Sequence, residues 1–187
     1  MESAGGIAHA LPLLGDEPVV VVAADVFTEF DYGGLTAARR RVAEAGAAAG
    51  AADTVGATDT VGATHTAGAS DAASTSHRPL AHLVLVPNPA FRPRGDYSLL
   101  PANNTTPYDQ VGMSGFPRWT WTGIGIFHPR LLREIPFGKK IPLLPFFADW
   151  IGRGLVSGEL YHGVWDNLGT PQQLHRLDAH LGAEKGP

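Results

Sequence analysis

The apolar and polar positions of the chain alternate in blocks that predict an α/β domain. Residues 18–25, PVVVVAAD, hold four consecutive valines. A run that is short, β-branched and apolar on both faces reads as a buried central strand of a parallel sheet. Residues 80–87, LAHLVLVP, give a second apolar strand, closed by the turn signal Asn88-Pro89. A short strand follows at 97–99, and a longer one at 119–127, WTWTGIGIF, where Gly123 and Gly125 mark a close approach to the backbone. Residues 155–161 and 163–165 read as two edge strands. Helical spacing at 2–14 puts Ile7, Ala10, Leu11 and Leu14 on one face, with Ser3 placed to cap it. Further helices are predicted at 35–44, at 129–135 with Pro129 in the first turn, and at 143–151, which is apolar enough to be buried. The last, 171–181, has Thr170 as cap, Pro171 at the first position and Leu174, Leu177 and Leu181 as its stripe. Residues 101–115, rich in Asn, Thr, Pro and Gly, read as a loop.

One stretch breaks this pattern. From residue 43 to 78 the chain turns to Ala, Gly, Thr, Ser and Asp, with DTVGAT at 53–58 and again at 59–64, and a decayed copy, HTAGAS, at 65–70. The unit is too short and too poor in large apolar residues to build its own core, so it reads as a flexible, low-complexity insertion in a single domain spanning 1–187. His65 and His77 within it make poor metal ligands, because ordering such a tract costs entropy.

Composition narrows the chemistry. A chain of 187 residues with 44% hydrophobic content can bury an ordinary core. The absence of cysteine excludes disulfides, thiolate zinc sites and a cysteine nucleophile, and fits a cytoplasmic setting. A net charge of -4 leaves no nucleic-acid footprint. The apolar stretch 141–151 is interrupted by Pro142, Pro145 and Asp149 and is too short to span a bilayer, so no membrane partner is expected. Nor does a basic and then apolar leader open the sequence. Three neighbouring arginines, Arg39, Arg40 and Arg41, fan around their helix and read as a solvated face. His175 and His180, five apart, fall on different faces and form no chelating pair.

Two places remain where chemistry could sit. Asp25 ends the valine run, where an open α/β sheet collects ligands, so its carboxylate could hold a divalent metal against phosphates; equally, it could cap the next stretch of chain. Ser3-Ala4-Gly5-Gly6 could present bare backbone N–H groups to a base or phosphate, or be a plain loop.

Taken together, ESAGGIAHALPLLGDEPVVVVAADVFTEFDY, HLVLVPNPAFRPRGDYSL, WTGIGIFHPRLL and SGELYHGVWDNLGTPQQLHRLD resemble, in order and spacing, the later two thirds of the bacterial sugar-1-phosphate nucleotidyltransferases. The resemblance runs closest to the N-acetylmuramate-1-phosphate uridylyltransferase group, often labelled mannose-1-phosphate guanylyltransferase. It implies a Rossmann-like mixed sheet of the nucleotide-diphospho-sugar transferase type, here N-terminally truncated. The implied reaction joins a nucleoside triphosphate to a sugar 1-phosphate, with magnesium (Mg2+) present and pyrophosphate released. It also implies residue roles: Asp25 as the magnesium-binding acid, Ala4, Gly5 and Gly6 along the base, and Gly95, Asp96, Thr122 and Gly123 lining the sugar pocket. The second metal position falls in WDNLGT, where Asn167 stands where relatives often carry Asp, with Asp166 as the fallback ligand.

The family's opening strand, glycine-rich loop with its arginine and Pro-Lys-Pro segment find no counterpart here; the lysines are Lys139, Lys140 and Lys185. The expectation is a uridylyl transfer in peptidoglycan recycling that this chain performs poorly alone. Guanylyl transfer to mannose 1-phosphate and a non-catalytic sugar-nucleotide-binding remnant are the alternatives. An exposed strand edge would favour a homo-oligomer or pairing with a complete homologue.

Overall fold

The computed structural model describes residues 3–55 and 78–184. Its elements run α1 (Ser3–Leu14), β1 (Val19–Val22), β2 (Val26–Thr28), α2 (Thr36–Val55), β3 (Ala81–Val86), β4 (Tyr97–Leu100), β5 (Gln110–Gly112) and β6 (Arg118–Phe127). They continue with α3 (Pro129–Leu132), α4 (Leu144–Gly152), β7 (Val156–Leu160), β8 (Trp165–Asn167) and α5 (Pro171–Glu184). Six strands form one mixed sheet in the order β1-β6-β3-β7-β5-β4, and β2 and β8 pair as a separate antiparallel ribbon. Among the described residues no helix is long and apolar enough to cross a membrane.

The centre of the sheet is β3, whose six residues are all buried. It lies parallel to β7 and antiparallel to β6. Alternation along β3 divides the core. Leu83 and Leu85 join Phe127, Phe147 and Trp150 in a cluster to which α1, α3 and α4 contribute. Val84 faces the other way, with Ile124 and Ile126 under Leu35, just before α2, and Ala38 and Val42 in its first turns. Rings fill the larger cluster: Phe147 lies 5.0 Å from Trp121 and 5.8 Å from Trp150, centroid to centroid.

Four sequence expectations are corrected. The valine run is an edge strand, not a central one: among the described residues β1 pairs only with β6, antiparallel, and Val20 and Val22 are 44% and 43% exposed. Four identical residues carry no polar marker of the solvent face, which is why the run looks doubly buried. Conversely, residues 155–161, expected at an edge, supply β7, which lies inside the sheet between β3 and β5. The loop assigned to 101–115 contains β5. The change of composition at residue 43 does not end the helix: α2 continues to Val55, because alanine favours helix however low the complexity. Ala45 and Gly46 are buried there. The remainder of that tract, with His65 and His77, lies outside the described residues, as do the side chains of Ser3, His180 and Leu181. Leu177 of α5 is buried, whereas Leu174 is 52% exposed.

Candidate nucleotidyl-transfer site

The site is built by the β2–β8 ribbon. Its register sets Val26 opposite Asn167, Phe27 opposite Asp166 and Thr28 opposite Trp165. Asp25 therefore arrives at the mouth of the ribbon, where its carbonyl accepts from the Leu168 amide at 2.6 Å. Its side chain is exposed and faces Asn167, whose Nδ2 lies 3.5 Å from Asp25 Oδ2. Gly169 closes the same corner: a Cβ there would stand 3.1 Å from Asn167 Oδ1 and 3.3 Å from Asp25 Oδ2. Two residues 142 positions apart are thus brought together.

The neighbouring acid is engaged elsewhere. Both carboxylate oxygens of Asp166 accept from the Arg176 guanidinium, at 3.0 and 2.9 Å, and tie β8 to α5. Such a two-point ion pair holds its carboxylate firmly. Between the two candidates in WDNLGT, the geometry places Asn167 beside Asp25 and gives Asp166 to Arg176.

Behind the ribbon, β6 supplies the floor. Gly123 adopts φ +82°, a left-handed conformation that favours glycine, and a Cβ on it would come within 2.6 Å of Ala23 Cβ. Ala23 N donates to Gly123 O at 2.9 Å, so β1 and β6 interlock just before Asp25. Gly125 meets a similar limit, 2.9 Å from His82 O. Close approach at both glycines is what the alternation of large and small residues in β6 signals. Thr122 is buried, its hydroxyl donating to Val84 O at 2.8 Å and accepting from Ile124 N at 3.0 Å. Its backbone carbonyl, in turn, holds the Trp165 indole at 3.0 Å.

Gly95 and Asp96 lie at the turn before β4, beside β6. Gly95 turns with φ +59°, pressed against Asn88 and Trp119. Asp96 braces that turn, accepting from Trp121 N at 3.0 Å and pairing with Arg92 through its other oxygen at 2.5 Å. Ala4, Gly5 and Gly6 lie within α1 rather than in an open turn. Ala4 is fully buried and Gly5 packs against the Lys139 carbonyl, where a Cβ would stand 2.4 Å away. Their smallness has a packing reason of its own.

Sequence reasoning missed Gly169, Trp165 and Arg176. It also missed Phe91, whose ring centroid lies 6.4 Å from that of Trp165. Trp165 and Gly169 lie inside WDNLGT and Phe91 just after VPNP, whereas nothing in the sequence singled out Arg176.

Oxygen donors define what the corner can hold. One carboxylate and one amide oxygen form a hard donor pair, and magnesium typically takes one or two protein ligands and fills its shell with water and phosphate oxygens. Asn167 Oδ1 now accepts from Gly169 N at 3.1 Å, so a shared ion would require the amide to rotate. Among the described residues there is no cluster of three or more His, Asp or Glu side chains suited to a metal.

The mixed sheet is of the nucleotide-diphospho-sugar transferase type. The chain superposes on a protein described as a glucose-1-phosphate thymidylyltransferase from Bacillus anthracis with a TM-score of 0.53 and 16% identity, covering 96% of this chain and 62% of that one. An inositol-1-phosphate CTP transferase from T. maritima gives 0.53 and 10%, covering 97% and 61%. HddC from Yersinia pseudotuberculosis gives 0.52 and 12%, covering 96% and 62%. In sequence, the chain is 33% identical over 185 residues to the N-acetylmuramate α-1-phosphate uridylyltransferase of Neisseria meningitidis serogroup B, across 99% of its own length and 64% of that protein. No family model matches. The chain is thus similar in sequence to a sugar-1-phosphate uridylyltransferase and shares the fold of these solved structures, spanning just under two thirds of the length of the proteins it matches.

Proposed function

We propose that this chain provides the sugar- and metal-facing part of a uridylyltransferase that joins UMP from UTP to N-acetylmuramate 1-phosphate and releases pyrophosphate, within cytoplasmic peptidoglycan recycling. The observation that carries it is the meeting of Asp25 and Asn167 at 3.5 Å, in a chain 33% identical to a protein of that name. In such a transfer a phosphate oxygen of the sugar attacks the α-phosphorus in line, and the protein positions the partners and offsets their charge. Asp25 and Asn167 would hold a magnesium ion, which when bound neutralises phosphate charge. Asp166 and Arg176 keep β8 fixed so that Asn167 stays opposite Asp25. Gly95, with Asp96 bracing its turn, and Gly123, with Thr122 anchoring its strand, shape the space for the sugar. Ala4, Gly5 and Gly6 would run beside the base.

Within these 187 residues no Gly-x-Gly-x-Arg segment offers a cradle for the β and γ phosphates. The chain assayed alone is therefore expected to bind product but turn over little. Calorimetry with UDP-N-acetylmuramate in magnesium, beside a pyrophosphate-release assay with UTP, tests both points. Asp25→Ala should weaken binding in magnesium by more than the roughly tenfold that losing a supporting group costs, and change nothing in EDTA. Binding that is unaltered by Asp25→Ala in magnesium overturns the assignment. Ordinary turnover by the chain alone overturns the inactivity.

A further inference from the structure

One cavity adjoins the Gly95 turn and contains side chains that have had no role so far. Outside the carboxyl end of β3, the loop that leaves this strand and the loop that precedes β6 enclose about 700 Å³, lined by Asn88, Arg94, Gly95, Phe116, Pro117 and Arg118 among others. A space of that size suits a small ligand, and in open α/β sheets ligands gather at this end of the strands. The walls are held by polar contacts. Asn88 donates to Arg118 O at 2.9 Å and accepts from the Thr120 hydroxyl at 3.0 Å. The Arg118 guanidinium is held from both ends, Nη1 donating to Met113 O at 2.7 Å and Nη2 to Asp96 O.

Two side chains in this cavity are not occupied. Arg94 is exposed, and its guanidinium has no ion-pair or hydrogen-bond partner among the described residues. Phe116 is 93% exposed, the most exposed large apolar side chain described. A ring contact ties the loop that carries Arg94 to the strand that carries Asn167. Phe91, three residues before Arg94, packs on Trp165, two residues before Asn167. A ligand held at the corner could therefore extend a substituent toward Arg94.

We propose that Arg94, with Phe116, sets specificity for an acidic acceptor sugar. The cavity takes a carboxylate-bearing substituent, the ether-linked lactyl group that distinguishes N-acetylmuramate from N-acetylglucosamine. This rests on the transferase reading above. A guanidinium with its fork free matches a carboxylate through two parallel hydrogen bonds. The lactyl methyl lies against the Phe116 ring. A neutral sugar 1-phosphate makes no such pair, so it forfeits a charged hydrogen bond that is worth roughly 10- to 100-fold in affinity.

Calorimetry in magnesium on the full chain, with N-acetylmuramate 1-phosphate and N-acetylglucosamine 1-phosphate as probes, tests this. The unaltered chain should prefer the first by roughly 10- to 100-fold. Arg94→Ala should weaken the first alone and erase the preference, and Arg94→Lys should restore part of it. Phe116→Ala should reduce the preference without erasing it. If both sugars bind and the preference is absent, or survives Arg94→Ala, the role of Arg94 is overturned while the transferase reading stands. Binding of neither sugar phosphate overturns both.

Discussion

At the scale of single residues, the sequence reveals acids more readily than their partners. Asp25 stands out because a carboxylate ends an apolar run, whereas Asn167 has no spacing relation to it and is found only through the resemblance. Other residues have roles that no pattern announces. His128 is one: its Nδ1 accepts from Arg130 N at 3.2 Å and so caps α3, while its ring lies against Gly46 of α2. Burial, with help from Arg130 and Arg133 and against Glu17 and Asp16, pushes its pKa below the ordinary 6.5. Between the depressed folded value and 6.5, the unfolded chain binds the proton and the folded chain does not. The stabilisation is therefore present in full above pH 6.5 and is lost as the pH falls through the folded value. Urea unfolding at about pH 8, 6.5 and 5 should show stability falling with pH, with a smaller fall in His128→Asn, whose amide oxygen caps without titrating. Equal pH dependence in the two proteins would contradict this account.

At the scale of elements, steric contact decides what propensity alone would misjudge. Gly46 lies inside α2, where alanine would ordinarily gain about 1 kcal/mol. A Cβ there would stand 1.9 Å from His128 Nε2, and that ring cannot retreat without giving up its cap. Gly46→Ala should therefore destabilise by about 1–3 kcal/mol. His128→Ser, which retains a capping oxygen and clears the space, should abolish most of that penalty in a double-mutant cycle read by chemical denaturation. Periodicity located α1, β3, β6, α4 and α5 well, since each is long or strongly patterned. It missed β2 and β5 and set β8 two residues early; these strands, three residues each, exist through their partners rather than through their own composition. Since β2 and β8 carry the site, the corner itself could not be read from local sequence.

At the scale of the whole molecule, sheet order is what the sequence concealed. A parallel β3–β7 pair at the centre joins segments more than sixty residues apart, and only the assembled topology reveals it. That same topology leaves β1 bonded on one side, with two valines showing. An open apolar edge of this kind promotes association between chains. Val20→Lys with Val22→Lys should lower concentration-dependent self-association in analytical ultracentrifugation, with a stability change within about 0.5 kcal/mol, as for surface substitutions. Unchanged association would locate the contact on another face.

The pairing of β2 with β8 also has a temporal meaning. The residue that faces Asp25 is made 142 positions later, so the corner has no second side until Asn167 has been made. Because so distant a closure is slow to find, capture of a ligand at this corner would report that the ribbon has closed.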